Sequence, residues 1–158
     1  MKKILLLLAI LPMFLTSCSK EDESNEQTFF ANVYTKYDNS SEEEIASNAI
    51  VYIFTNENKS IDNTESAMSV IDDGVITYTD GSTSSKPKYA TKWQSGVFNI
   101  EKFPNGEYIL WVACMNDFAA ITYSSYNKIS VNNNYRGTSE KKVFITSSGA
   151  GLYRFQNW

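Results

Sequence analysis

The chain has 158 residues, with 14 Lys and Arg against 18 Asp and Glu, a net charge of −4 and no histidine. That length suits one domain with a single core, and the acidic balance speaks against nucleic acid and against a basic membrane-surface patch. Without histidine, Ser-His and Cys-His nucleophile pairs and His-containing zinc sites are excluded.

Lys2 and Lys3 precede an apolar run from Ile4 to Leu15, which ends on small residues. A basic start, an apolar stretch of about a dozen residues and small residues before a cut site mark a secretory signal. The run is short for a span, which needs about 20 apolar residues. Leu15-Thr16-Ser17-Cys18 resembles the lipobox of bacterial lipoproteins at all four positions. The resemblance implies that residues 1–17 are a lipoprotein signal peptide and that Cys18 carries the acyl chains, palmitate among them, with no transmembrane helix. An ordinary cleaved signal with a chance cysteine, or a short buried helix, is the plainer alternative. Loss of the leader removes Lys2 and Lys3, leaving 12 basic and 18 acidic residues and a net charge near −6.

Ser19-Lys20-Glu21-Asp22-Glu23 resembles the surface-export signal of Bacteroidetes lipoproteins. It implies lipid anchoring in the outer membrane with the domain facing the cell exterior. The periplasmic face is the alternative, because polar tethers favour acids in any case. Residues 18–27 then read as the lipidated cysteine and a flexible acidic tether, and residues 28–158 as a single β-sandwich domain.

The domain reads as β throughout: short alternating runs of Tyr, Phe, Val, Ile and Thr are broken by Asn, Asp, Gly and Ser clusters. No segment offers a helical stripe; Ser41 to Asn48 allows one turn at most. Phe29 to Tyr37 is the first strand, with Phe29, Ala31 and Val33 on one face. Ala49 to Thr55 is the second, with Ala49, Val51 and Ile53 on one face and Ile50, Tyr52 and Phe54 on the other. Asn56 to Ser69 is a polar connection or insertion. Val75 to Thr79 and Tyr89 to Trp93 read as two arms of a hairpin, with Asp80 to Lys88 as a mobile tip. Gly96 to Ile100 and Gly106 to Met115 follow, joined by Phe103-Pro104-Asn105-Gly106, which has the chemistry of a tight turn. Ala120 to Tyr123, Lys128 to Val131, Lys141 to Thr146 and Leu152 to Trp158 carry further strand signals. Cys114, inside the apolar run Ile109 to Met115, reads as a buried free thiol.

Ser95-Gly96-Val97-Phe98-Asn99-Ile100 and Phe103-Pro104-Asn105-Gly106-Glu107-Tyr108-Ile109-Leu110-Trp111-Val112 resemble the Gly-x-Phe-x-Ile and apolar-Pro-x-Gly-x-Tyr-x-Leu-x-Val pattern of carboxypeptidase-regulatory-like, transthyretin-like domains. Upstream, Asn48-Ala49-Ile50-Val51-Tyr52-Ile53 is similar to that family's second strand, with Asn48 where a Gly is usual. Phe98, Ile100, Tyr108, Leu110 and Val112 fall on one face of two adjacent strands. The resemblance spans Ala49 to Val112, about half of the mature chain. It implies an all-β, Greek-key β-sandwich of about seven strands, transthyretin-like (prealbumin-like), and says little of function. Enzymes of that fold that hydrolyse a urate derivative depend on histidines and a C-terminal signature absent here.

Asp72-Asp73-Gly74, with Asp80 or Asp62, lacks the spacing of a calcium loop and reads as an acidic turn; Glu42-Glu43-Glu44 reads as a solvated charge run. No acid pair suggests glycoside hydrolysis. The aromatics stand out: Tyr52, Tyr78, Tyr89, Trp93, Trp111, Tyr123, Tyr126, Tyr135 and Trp158. Alternation puts Tyr52 and Trp111 opposite the core face, so Trp93, Trp111 and Tyr52 form a candidate ligand platform for stacking on sugar rings. Packing of the same rings under the long insertion or in cross-strand pairs is the competing reading. The expectation is a lipid-anchored cell-surface protein, not an enzyme, that needs no cofactor or metal and contacts a glycan or an envelope protein. The alternative is a structural spacer or docking subunit of an outer-membrane or fimbrial-type assembly.

Overall fold

The computed structural model describes residues 26–37, 39–115, 122–133, 138–146 and 153–155. The leader, Cys18, most of the tether, Ala120, Tyr135 and Trp158 lie outside the described residues. Nine strands and one short helix follow in order: β1 (Glu26–Tyr37), β2 (Glu44–Ile45), β3 (Ala49–Thr55), α1 (Ala67–Asp73), β4 (Tyr89–Ala90), β5 (Val97–Pro104), β6 (Gly106–Met115), β7 (Thr122–Val131), β8 (Thr138–Thr146) and β9 (Tyr153–Phe155). They form two sheets. In the first, β1 is flanked on one side by β8, which runs parallel to it, and β8 by β9; β5 and then β2 pair antiparallel with successive parts of β1. The second has the order β4-β3-β6-β7, all antiparallel.

The architecture is thus all-β with two sheets, and alternation explains how they meet. Phe29, Ala31 and Val33 of β1 and Phe98, Ile100 and Phe103 of β5 point one way; Ala49, Val51 and Ile53 of β3 and Tyr108, Leu110, Val112 and Cys114 of β6 point back at them. Successive residues of a strand face opposite sides, so each strand gives this core every second residue. Cys114 is buried and in no disulfide, as its apolar surroundings suggest.

Two features of the Gly96 to Val112 stretch acquire a physical cause. A Cβ on Gly96 would lie 2.2 Å from the Val33 carbonyl oxygen. There the Val33 N–H donates to Gly96 O (2.7 Å), the Gly96 N–H to Ala46 O (2.8 Å) and the Ala46 N–H to Val33 O (2.9 Å), knitting β1 to the starts of β2 and β5. The Tyr108 hydroxyl donates to Pro104 O (3.0 Å). The Phe103-Pro104-Asn105-Gly106 turn does not close a hairpin within one sheet. It carries the chain from β5 in the first sheet to β6 in the second, so the expected pair of adjacent strands faces itself across the core, with Phe103 and Tyr108 rings 4.7 Å apart. A β-bulge precedes the turn: the β1–β5 register slips by one residue between Phe29 and Gln27, with Lys102 at a φ of 53°, and pairing then resumes to Pro104 before the chain crosses over.

Other boundaries shift. Glu26 and Gln27 belong to β1 rather than to the tether, because Gln27 is buried and its Nε2 donates to Asn133 Oδ1 (3.2 Å). Residues 122–131 are one strand, not two. The polar Ser124-Ser125-Tyr126-Asn127 break pairs through its backbone along β6 without interruption.

The expected hairpin between Val75 to Thr79 and Tyr89 to Trp93 is absent. Tyr89 and Ala90 pair with Ile53 and Tyr52 of β3, whereas Tyr78 bridges to Ile61 and Thr77 to Thr83. Asp80 to Lys88 is pinned, not a free tip: the Ser84 N–H donates to Ile76 O (2.9 Å), the Ser84 hydroxyl accepts from the Ile76 N–H (3.1 Å), and Asp80 accepts from the Ser82 N–H (2.9 Å). Burial of Ile76 and Tyr78 against the second sheet outweighs the short-range hairpin signal.

Helix α1 was not expected from periodicity, being only seven residues long. Its end signals are nonetheless present in the chain: the Ser66 hydroxyl accepts from the Ser69 N–H (3.1 Å), and Gly74 closes the helix in the left-handed region, its N–H donating to Val70 O (2.8 Å). These are a standard N-cap and C-terminal glycine.

Replacing Gly96 by Ala forces backbone apart at the β1–β2–β5 junction, and a loss of about 1–3 kcal/mol or more is expected. Tyr108→Phe removes one buried hydrogen bond, for a loss of about 1 kcal/mol. Urea unfolding of both variants checks the order, and a Gly96→Ala variant as stable as the parent would contradict the close approach.

Candidate functional site

β3 and β6 are apolar on both faces. Ile50, Tyr52 and Phe54 of β3 and Ile109, Trp111 and Ala113 of β6 point away from the first core, and all six are buried. Residues 56–88 cover them, presenting Ile61, Ala67, Val70, Ile76 and Tyr78 to make a second core. Glu65 staples this cover: its carboxylate accepts from the Thr77 N–H and the Thr77 hydroxyl, each at 2.8 Å.

The cover leaves a half-open cleft of about 430 Å³ beside β7. Ile61, Val70, Ile76 and Trp111 supply apolar lining, and Asp62, Asn63 and Glu65 supply polar groups from the insertion. On the other side stand Ser124, Ser125 and Tyr126 of β7, with Lys142 of β8. This size lies in the range of small-ligand sites, which combine apolar walls with a few polar groups.

Trp93, Trp111 and Tyr52 do not form an open platform. Tyr52 is 8% exposed and Trp111 3%; their rings stack on each other, 5.6 Å apart and 27° from parallel, beneath the insertion. Trp93 is half-buried against the same cluster. Of the three, Trp111 lines the cleft. The alternation correctly put Tyr52 and Trp111 on the outer face of their sheet, but the length of the following insertion determines that this face is covered. Tyr126, which faces Trp111 across the β6–β7 register, is the half-buried aromatic at the cleft. Asn63, Glu65, Ser124, Ser125 and Lys142 carry no sequence signal, since residues from separate polar loops and a distant strand meet only in three dimensions.

Burial shapes the electrostatics. Lys142 is 2% exposed, and loss of hydration lowers its ammonium from the ordinary 10.5 to about 8. Asp62 is held below the usual carboxylate range by the Thr64 hydroxyl and then the Thr64 N–H, which both donate to it. Desolvation, followed by the charge of Asp72, raises the Tyr52 phenol.

Asp72 and Asp73 lie in the last turn of α1, and Asp80 is engaged with Ser82 and with Lys59 at 3.5 Å. Among the described residues no group of three or more His, Cys, Asp or Glu converges, and no helix is long and apolar enough to cross a membrane.

Fold and cleft together define an all-β, two-sheet protein with a covered second core and a lateral cleft. No protein-family model, curated protein or solved structure matches the chain.

Trp111→Ala is expected to cost about 3–5 kcal/mol, the range for emptying a large aromatic site; urea unfolding tests it, and a loss under about 1 kcal/mol would place the ring outside the core. For Lys142 the sign follows from proton counting. Between pH 8 and 10.5 the unfolded chain holds a proton that the folded chain has released, so stability from this group rises with pH across that window. Below pH 8 the full cost is present, at most about 3 kcal/mol. Lys142→Met is therefore expected to be more stable than the parent at pH 7, with the difference shrinking by pH 10 in paired urea titrations.

Proposed function

We propose that this chain is a lipid-anchored cell-surface β-sandwich with a non-catalytic binding role, its ligand seated in the cleft between the insertion and β7. The observation that carries the binding role is the cleft itself: apolar lining from Ile61, Val70, Ile76 and Trp111 meets hydrogen-bonding groups from Asn63, Ser124, Ser125 and Tyr126. The anchor rests on Leu15-Thr16-Ser17-Cys18, and outward display from the outer membrane on the acidic run after Cys18. In this reading acyl chains hold Cys18, the tether spaces the domain from the bilayer, and the cleft meets a glycan or an envelope protein. One acyl chain anchors only marginally, whereas two or more hold firmly.

The fold is further proposed to be of the Greek-key, transthyretin-like kind. Supporting it are the tight seat of Gly96 against Val33 and the Tyr108 hydroxyl closing on Pro104, at the positions where the sequence pattern asks for Gly and Tyr.

Anchoring is tested in cells. Globomycin is expected to leave the leader uncut, Cys18→Ser to abolish lipid labelling, and protease added to intact cells to remove the domain. A domain that survives shaving while a surface control is digested would place it on the periplasmic face. The cleft is tested by screening the purified lipoprotein in detergent against a glycan array and isolated envelope proteins. Tyr126→Ala and Asn63→Ala should weaken whichever binding is found by about tenfold, equivalent to about 1.4 kcal/mol, with the unfolding midpoint unchanged for Asn63→Ala. Full binding by both variants would move the site elsewhere.

A further inference from the structure

We infer that the cleft seats an extended polypeptide segment of a partner protein, which adds as a strand to the outer edge of β7 and places a lysine or arginine side chain in the cleft. The inference rests on the reading of the cleft as the binding site and assigns its ligand class.

The cleft touches three consecutive residues of β7, Ser124, Ser125 and Tyr126. Successive residues of a strand point to opposite faces, so a hollow confined to one face of a sheet would touch alternate residues. The register shows the two sides: Ser124 and Tyr126 lie opposite Ala113 and Trp111 of the outer face, and Ser125 lies opposite Val112 of the core face. Contact with all three means that the cleft runs along this part of β7. Lys142 shares the parity of the core residue Phe144, two positions on in β8, yet lines the same cleft. The hollow therefore opens past β7 toward the other sheet.

From Thr122 to Asn127 that edge carries few of the usual protections, which begin at Lys128. β7 is the last strand of its sheet among the described residues. It pairs with β6 over ten residues without a register shift, and residues 122–127 include no charge, proline or glycine. Exposed edges are ordinarily blunted by charges, prolines, bulges or brevity. β5 shows that treatment, with a bulge, Lys102 and Pro104; β2 and β4 have two residues each and β9 three. A regular edge, uncharged from Thr122 to Asn127, beside a hollow is the arrangement used for strand addition, in which main-chain bonds give affinity and side-chain pockets give specificity.

The lining selects the side chain. Ile61, Val70 and Ile76 suit an aliphatic stem, and the carboxylates of Asp62 and Glu65 suit a cationic head. Lys142 is the opposing charge in the cleft, and the chain as a whole is acidic. A sugar ring would want an open aromatic face, but Trp111 is covered by Tyr52.

The test uses the full lipoprotein in detergent, probed with a phage-displayed random peptide library and, in parallel, a glycan array. The expected result is selection of peptides with alternating apolar positions and a Lys or Arg. A synthetic copy should slow hydrogen exchange of amides in 122–127 about tenfold or more, and Asp62→Asn should weaken it about threefold or more at a temperature where the variant is fully folded. Selected peptides that leave β7 exchange unaltered would overturn strand addition. Glycan binding sensitive to Tyr126→Ala, with no peptide selected, would overturn the peptide inference and leave the cleft reading standing. Binding of neither probe would count against both.

Discussion

The structure depends on one constraint: β3 and β6 are apolar on both faces, so water must be excluded from both sides of the second sheet. Along Ile50 to Phe54 and Tyr108 to Cys114 every residue is buried. The first sheet can cover only one side. Residues 56–88 have to cover the other, and their irregular path follows from that duty. They contribute about two helical turns, two isolated bridges and a set of side-chain staples rather than a second regular layer. Each large side chain so buried contributes about 1.5–3 kcal/mol, which is ample to hold a segment with little secondary structure of its own.

The cleft is a consequence of the same cover. The insertion leaves β3 and returns to β4 on the far side of that strand, and on its way it packs over β3 and β6 and reaches Tyr126 and Lys128 of β7. Beside β7 its polar turns around Asp62 to Glu65 share the cleft with the half-buried Ser124 to Tyr126. The two acids are already engaged by Thr64 and Thr77, which positions them without neutralising them. Lys142 reaches the cleft from the other sheet at the expense of its hydration. Acidic groups and apolar lining thus lie together because the insertion, β7 and β8 meet on one side of the molecule.

Much of the fold was legible. Alternation in Phe29 to Val33 and in Ala49 to Phe54 located strands and their faces, since a half-buried strand must alternate. Gly96 and Tyr108 were visible as pattern residues, though their partners Val33 and Pro104 were not. The hairpin expected from Val75 to Trp93 failed because local β propensity does not say which strand will pair, and burial of Ile76 and Tyr78 decided it. The β5–β6 turn looked like a hairpin for the same reason, whereas β5 pairs with β1 and β6 with β3 and β7. Helix α1 fell below the length at which periodicity speaks, though Ser66 and Gly74 mark its ends.

By itself the sequence determined that the domain is all-β, that its strands have defined faces, that it offers no histidine, and that Leu15-Thr16-Ser17-Cys18 follows an apolar run. These depend on composition, local order and period-two alternation, all of which are written along the chain. Only the tertiary structure decided that Tyr52 and Trp111 are covered, that β1 and β8 run parallel, and that Asp62, Tyr126 and Lys142 share a cleft. Those depend on contacts between segments far apart in the chain, where burial of apolar area outweighs local preference.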